Sequence, residues 1–213
     1  MDGDTPKQFL DLAGKPLLEH SLLAFEKTPD IDRIVLVSHP DHLDVARRLA
    51  EDADISKLIA VVPGGATRSD SSRAALDAVP AEEGLILIHD AARPLIEPAT
   101  IAAVVSALQT HRAAAPAIPA TDTIVEAHEE EITAVPARTS LRLMQTPQGF
   151  ELATLREAYR LAGENPGFEA SDDCGVVHRY LPDVAIKLVA GSSRNLKITH
   201  EADLLTAEML LGG

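Results

Sequence analysis

Gly84-Leu85-Ile86-Leu87-Ile88-His89-Asp90-Ala91-Ala92-Arg93-Pro94 joins a short apolar run to a polar loop built on small residues. A continuously apolar run of this length, bounded by a glycine on one side and a charged, proline-ended turn on the other, predicts a strand buried on both faces. Working outward, the same signature recurs at Arg33-Ile-Val-Leu-Val-Ser38 and at Leu58-Ile-Ala-Val-Val62, which ends in Pro63-Gly64-Gly65. Helices are predicted between them. Pro40 suits a first helical position and opens one over residues 40–51, and others are expected at 69–79 and 97–111. Residues 113–118 then read as a strand, a helix follows Phe150 to about residue 162, Val184-Ala-Ile-Lys-Leu-Val189 reads as a strand, and a closing helix runs over 200–211. Buried strands alternating with helices predict an α/β fold: a doubly wound, mostly parallel sheet covered on both faces, as one domain over residues 1–213. Ligands in such sheets bind beyond the carboxyl ends of the strands, so the loops after Val62 and His89 hold the candidate site.

The alternation breaks between Thr121 and Gln145. Thr123-Ile-Val-Glu-Ala127 and Ile132-Thr-Ala-Val135, joined by His128-Glu-Glu-Glu131, predict a hairpin more polar than the core strands. Residues 119–142 are therefore expected to project from the domain.

Composition narrows the function classes. With 46% hydrophobic but only 3% aromatic residues and no Trp, the core must be built from Leu, Val, Ile and Ala. Nineteen basic against 33 acidic residues give a net charge of −14, which argues against a general nucleic-acid binder while permitting a nucleotide site with a few focused cations. A single cysteine, Cys174, excludes an intrachain disulfide framework. No apolar run approaches the roughly eighteen residues of a membrane span, and no signal peptide is visible, so a cytoplasmic protein is expected.

Asp90 and Arg93 place a carboxylate and a guanidinium at a strand end with only alanines between. Asp90 can hold a divalent metal or a substrate hydroxyl and Arg93 a phosphate, although a plain Asp–Arg salt bridge would use the same residues. His89 reads as a strand-end residue satisfied locally. Gly64-Gly65-Ala66-Thr67-Arg68-Ser69-Asp70-Ser71 follows a buried strand and opens a helix. Its glycines and free helix N–H groups suit an anion or base edge, and an ordinary turn with a Ser cap accounts for it equally. Lys7, in Thr5-Pro6-Lys7-Gln8-Phe9, is by itself an exposed lysine. His39-Pro-Asp-His42 lacks the further ligands of a zinc site. Ser171 capping a helix explains Ser171-Asp172-Asp173-Cys174, and Glu129-Glu130-Glu131 is a solvated turn.

In their order, Pro6-Lys7-Gln8-Phe9, Gly64-Gly65 with Arg68, His89-Asp90-Ala91-Ala92-Arg93-Pro94, Gln145-Thr146-Pro147-Gln148 and Asn195-Leu196-Lys197-Ile198-Thr199 resemble the 2-C-methyl-D-erythritol 4-phosphate cytidylyltransferase family. The resemblance covers nearly the whole chain. It implies a nucleotidyltransferase-like sandwich and a reaction in which the substrate phosphate attacks the α-phosphorus of CTP, releasing pyrophosphate, with Mg2+ required. It implies that Lys7 stabilises the transition state, that Gly64, Gly65, Ser71 and Ala91 meet the nucleotide, and that Asp90, Arg93 and Thr146 bind the polyol phosphate. Lys197 would position that phosphate, and Asp172 would border the polyol. It further implies a homodimer in which the hairpin crosses over, so that Thr123 and Arg138 serve the neighbouring site. Ala66 stands where an acid is common, which puts one cytosine contact in doubt. Family members also carry a strand and a glycine-rich Ala-Ala-Gly-x-Gly-x-Arg-Met loop before the Pro-Lys-Gln segment. With Met1 standing where that motif ends, the expectation is an internal methionine and a longer cellular protein. The alternatives are a cytidylyltransferase for ribitol 5-phosphate or another polyol phosphate, and an inactive remnant that still dimerises.

Overall fold

The structure is a computed structural model, and it describes residues 6–165 and 171–212. Met1, on which the expected longer start rests, lies outside the described residues. After a short 3-10 turn at Lys7–Phe9, the chain forms β1 (Asp11–Leu12), β2 (Lys15–Pro16), α1 (Leu17–Glu26), β3 (Ile34–Ser38), α2 (Leu43–Asp52), β4 (Leu58–Pro63) and α3 (Arg68–Ala78). It continues with β5 (Leu85–Ile88), α4 (Pro98–Ala107), β6 (Ala113–Pro119), β7 (Glu126–His128), β8 (Glu131–Ala134), β9 (Arg142–Met144) and β10 (Gln148–Glu151). The last elements are α5 (Leu152–Glu164), α6 (Asp173–Tyr180), β11 (Ile186–Ala190) and α7 (Glu201–Gly212).

The fold is the expected α/β class, and beside the small antiparallel pairs β1–β2 and β7–β8 its core strands form two groups. β3 and β4 form a parallel pair, while the larger sheet runs in the order β11-β6-β10-β5 with β9 also on β6. β11 and β6 are parallel, and β10 lies antiparallel between β6 and β5, so β5, β6 and β11 share one direction. Among the described residues, β3 pairs only with β4 and β5 only with β10, leaving one edge of each without a strand partner. Helix α1 spans the two groups. Its Leu18 and Leu22 pack with Leu36 of β3, while Ala24 and Phe25 pack with Leu87 of β5 and Ile101 of α4.

Neither α1 nor β10 carries an expectation from sequence. The signal for α1 was present, because Leu17, Leu18, Ser21, Leu22 and Ala24 fall at helical spacing and are all buried. For β10 the local signal is weak: four residues that include a glycine. Tertiary packing supplies the reason. A Cβ on Gly149 would lie 2.6 Å from Val104 Cγ1 and 2.8 Å from Leu108 Cδ1, so the bare backbone lets α4 close on the sheet. Its neighbour Phe150 is fully buried with Leu155 and Val177, in the largest core cluster.

The hairpin forms β7–β8, which among the described residues pair only with each other and carry exposed residues throughout apart from Ala134, which is part-buried. Its turn is tighter than expected. His128 faces Glu131, and Glu129 takes the left-handed conformation at φ 52°. Apolar side chains also lie open in this region, with Ile132 63% and Val135 61% exposed.

Two caps differ from the sequence reading. Thr67, not a serine, caps α3: its hydroxyl accepts from Asp70 N, and Asp70 accepts from Thr67 N in return. Asp172, not Ser171, caps α6 by accepting the Gly175 N–H at 2.7 Å.

Candidate active site

Three loops converge beyond the carboxyl end of β5. The first is the β5–α4 turn, in which Arg93 N donates to Asp90 O. The second precedes β10 and contains Gln145 and Thr146. The third follows β11 and carries Asn195 and Lys197. Backbone and amide bonds lock them together. Ile198 N donates to Ala92 O at 2.7 Å, Asn195 Nδ2 donates to Thr146 O at 2.8 Å, and Gln145 clasps Ser192 through both ends of its side-chain amide.

On this frame Asp90 is held between two cations. Lys197 Nζ lies 2.9 Å from its Oδ2, and Arg68 Nε lies 3.4 Å from its Oδ1. Burial opposes the ionised form of Asp90, but the Lys197 hydrogen bond and the Arg68 charge outweigh burial and hold the carboxyl below its ordinary value. Arg93 does not form the alternative salt bridge with Asp90: its Nη1 donates to Asn195 O at 2.8 Å, and burial lowers its pKa despite Asp90. Its Nε is buried without a protein partner.

The Arg93 carbonyl sets the tautomer of His89: it can only accept, so the imidazole hydrogen sits on Nε2 and is donated to it at 3.2 Å. In the neutral ring Nδ1 then accepts from the Thr146 hydroxyl at 3.0 Å, whose oxygen also accepts the Asp90 N–H at 3.1 Å. Burial lowers the His89 pKa to about 4. A neutral ring with both nitrogens engaged has no lone pair for a substrate proton, in agreement with the sequence reading.

Lys7 reaches the same neighbourhood, donating from Nζ to Thr199 O at 3.0 Å. The nucleotide-loop candidates lie at the start of α3. A Cβ on Gly65 would fall 2.1 Å from Asp70 Cβ, so the capping box needs glycine there. Gly64 N donates to Ser38 O, and Ser71 donates its hydroxyl hydrogen to Thr67 O, which leaves its lone pairs to accept. Ala91 O accepts from Ser21 at 3.4 Å.

Thr123 and Arg138 are not brought to this cluster within one chain. Both are exposed, and Arg138 Nη1 donates to Thr121 O at 3.1 Å. Asp172 serves structure: besides capping α6 it accepts from Gln148 Nε2 at 2.9 Å, and Gln148 Oε1 accepts Cys174 N. Cys174 is buried, and burial together with Asp172 and Asp173 pushes its thiol pKa up. As for a metal, both oxygens of Asp90 face cations, and no group of three or more His, Cys, Asp or Glu among the described residues could hold one. These residues do not fit a protein-held metal.

Sequence reading quoted Arg68 and Asn195 inside motifs without assigning them to the site. Asn195 joins all three loops, since its carbonyl accepts from Arg93 and from Gln145. The available signal was position alone: Arg68 stands three residues from both Gly65 and Ser71, and Asn195 two from Lys197.

Cations and an acid beyond the strand ends, next to a glycine turn that opens a helix, are groups that an α/β nucleotidyltransferase can use to hold a nucleotide and a second phosphate. The comparisons narrow the class. A model of the 2-C-methyl-D-erythritol 4-phosphate cytidylyltransferase family matches residues 1–213, and the chain belongs to that family. The 2-C-methyl-D-erythritol 4-phosphate cytidylyltransferase of Thermobifida fusca (strain YX) is 46% identical, covering 97% of this chain and 86% of that protein. The crystal structure of the Thermus thermophilus enzyme of the same name superposes with a TM-score of 0.82 at 36% identity, covering 98% of this chain and 95% of that one. A bifunctional ribulose 5-phosphate reductase/CDP-ribitol pyrophosphorylase of Haemophilus influenzae is 37% identical over 96% of this chain, which spans 44% of that longer protein. No helix among the described residues is long and apolar enough to cross a membrane.

Proposed function

We propose that the Asp90 cluster is the acceptor end, and the Gly64-Gly65 loop the cytosine end, of a site that transfers CMP from CTP to 2-C-methyl-D-erythritol 4-phosphate. The products are the CDP-linked polyol and pyrophosphate. The observation that carries this reading is the meeting of Lys197, Asp90 and Arg68, with Arg93 and Thr146 alongside, beyond β5.

Bringing one polyanion to another is the difficulty in this chemistry, so positioning and charge neutralisation carry the catalysis. Asp90 accepts a polyol hydroxyl, while Arg93 and Lys197 take the acceptor phosphate. Lys197 exchanges its bond to Asp90 for one to the phosphate and sets an oxygen in line with the α-phosphorus. Lys7, released from Thr199 O, meets the charge that develops on the triphosphate. Mg2+, where present, would supply further charge neutralisation to the triphosphate, and the described residues include no group of three or more His, Cys, Asp or Glu to hold it.

The reading includes a homodimer. Exposed Ile132 and Val135 on an arm that pairs only with itself supply an apolar face, and crossing over would bring Thr123 and Arg138 to the neighbour's acceptor end. Single, buried Cys174 suits work in a reducing cytoplasm.

The Haemophilus relative favours one competing acceptor, ribitol 5-phosphate. Pyrophosphate release measured with each polyol phosphate separates the readings. The methylerythritol reading expects kcat/KM at least about 100-fold higher with methylerythritol phosphate. A higher value with ribitol 5-phosphate would overturn it.

A further inference from the structure

A row of polar groups, buried at Tyr159 and Asp173 and part-buried at Arg68 and Asp90, runs from the α5–α6 layer to the site. Tyr159 of α5 donates its hydroxyl to Asp173 Oδ1 at 2.6 Å. Asp173, the first residue of α6, is wholly buried, and its Oδ2 lies 2.6 Å from Arg68 Nη1. Arg68, the first residue of α3, then presents Nε to Asp90 Oδ1 at 3.4 Å. Each member is fixed by its own surroundings. The Thr67–Asp70 capping box sets the backbone at Arg68, the Asp172 cap sets that at Asp173, and the Arg73 guanidinium lies 5.4 Å over the Tyr159 ring.

We propose that Arg68 is a positioning residue for the transfer, gripping Asp90 by one oxygen so that Lys197, on the other, is free to move to the acceptor phosphate. Tyr159 and Asp173 are its buried anchor. The inference rests on the acceptor-end reading of Asp90 given above.

The chemistry requires such a residue. A carboxylate whose one cation leaves during the reaction must either take a proton or swing after it, and both outcomes misplace the polyol hydroxyl it accepts. A second cation, tied down elsewhere, prevents both. Arginine fits this task and lysine does not. A planar guanidinium presents N–H groups on several sides and can face two carboxylates at once, whereas one ammonium on a flexible stem meets one of them. Arg68 divides its charge in this way, Nη1 paired closely with Asp173 Oδ2 and Nε donating toward Asp90 Oδ1. Burial works against its charge, and Asp173 followed by Asp90 more than compensates, so its pKa is raised. The arrangement also joins the two ends of the site, because Arg68 belongs to the glycine loop and Asp90 to the acceptor loop.

A simple ion-pair staple between α3 and α6 would stabilise the fold and do nothing more. The titration of Asp90 separates the two roles. The charged groups that face Asp90 are Arg68 from α3, Lys197 from the segment after β11, and His89 and Arg93 from its own loop. In the full-length chain, carboxyl-carbon NMR should show the Asp90 midpoint rising by about one unit in Arg68→Gln, and in Arg68→Lys by a similar amount, as expected when an opposite charge at close range is withdrawn. Steady-state kinetics should show the KM for the polyol phosphate rising about tenfold or more and kcat falling, with the KM for CTP changed less than threefold. If Arg68→Gln does not fold, Arg68→Lys carries the test, because it retains a cation for Asp173. An Asp90 midpoint unmoved in a folded variant, accompanied only by a lower melting temperature, overturns the proposal. If the wild-type chain turns over neither polyol phosphate, the acceptor reading fails, while the titration still decides whether Arg68 holds Asp90.

Discussion

Lys197 and Asp90, 107 residues apart in the sequence, meet at 2.9 Å. This contact brings the segment after β11 onto the loop after β5, and it keeps a cation at the point where an acceptor phosphate must be neutralised. Lys197 is half-exposed whereas Asp90 is largely covered, so the lysine is the mobile partner. Lys197→Ala should therefore lower kcat by about 100-fold or more while leaving the oligomeric state unchanged, because no core contact is lost. Steady-state rates and size-exclusion chromatography check this. Full activity in a dimeric variant would remove Lys197 from the mechanism.

His89 makes stability depend on pH. Its folded pKa, about 4, lies below the ordinary 6.5, so the neutral form is the folded form. The associated stability is present above about pH 6.5 and is lost as pH falls through 6.5 toward 4, amounting to about 3 kcal/mol across that window. Denaturant titrations of wild type and His89→Gln at several pH values should show the slope in the first and a flatter line in the second. Equal slopes would place the titration elsewhere.

Asp203 acts lower in the scale. It accepts from Thr199 N, Thr199 Oγ1 and His200 N at 2.8 Å each, and these bonds, the Thr199 N–H foremost, lower its pKa to about 2. Its contribution is complete above the ordinary carboxylate value of 3.8 and disappears as pH falls toward 2. Asp203→Asn should loosen the start of α7 and with it the carbonyl that holds Lys7. Amide exchange at Thr199 and His200 should rise in the variant at neutral pH, and unchanged exchange would contradict this role.

Gly65→Ala should be damaging for a steric reason. The new methyl would overlap Asp70 Cβ at 2.1 Å, so the cap must open or the loop must shift. A loss of about 1–3 kcal/mol is expected. CTP affinity should fall more steeply than affinity for the polyol phosphate, as calorimetry with each ligand can show. Equal losses for both would remove Gly65 from the nucleotide end.

Shared sites predict complementation. Arg138→Ala and Lys7→Ala subunits, each impaired alone, should regain part of their activity when mixed, because one site in the mixed dimer then has both residues. Mixed dimers verified by mass that show no recovery would argue against the crossed arm.

Much of this fold was legible because its strongest strands are also its most local signals. Ile34–Ser38 and Leu85–Ile88 announce themselves by composition, and the positions of Asp90 and Arg93 follow from where β5 ends. β10 did not, since Gly149 is chosen for the approach of Val104 and Leu108, which no local pattern encodes. The site divides in the same way. Lys197, Asp90 and Thr146 were visible as motif residues, but the roles of Arg68 and Asn195 arise from contacts with Asp173 and Arg93 on other elements. Arg93 reads in sequence as a phosphate ligand, or else as a salt-bridge partner for Asp90. In the folded chain its Nη1 donates to the carbonyl of Asn195, and Arg68 is the guanidinium beside Asp90.

The central claim is that a polyol-phosphate oxygen held at the Asp90–Lys197 end attacks the α-phosphorus of CTP. Phosphorus NMR with polyol phosphate bearing 18O in its phosphate group, mixed with CTP, Mg2+ and the full-length chain, tests it directly. The account predicts a CDP-linked product that retains the label on the polyol-side phosphorus and in the bridge, together with unlabelled pyrophosphate. Label in the pyrophosphate, or CTP left intact beside a folded protein, would contradict it.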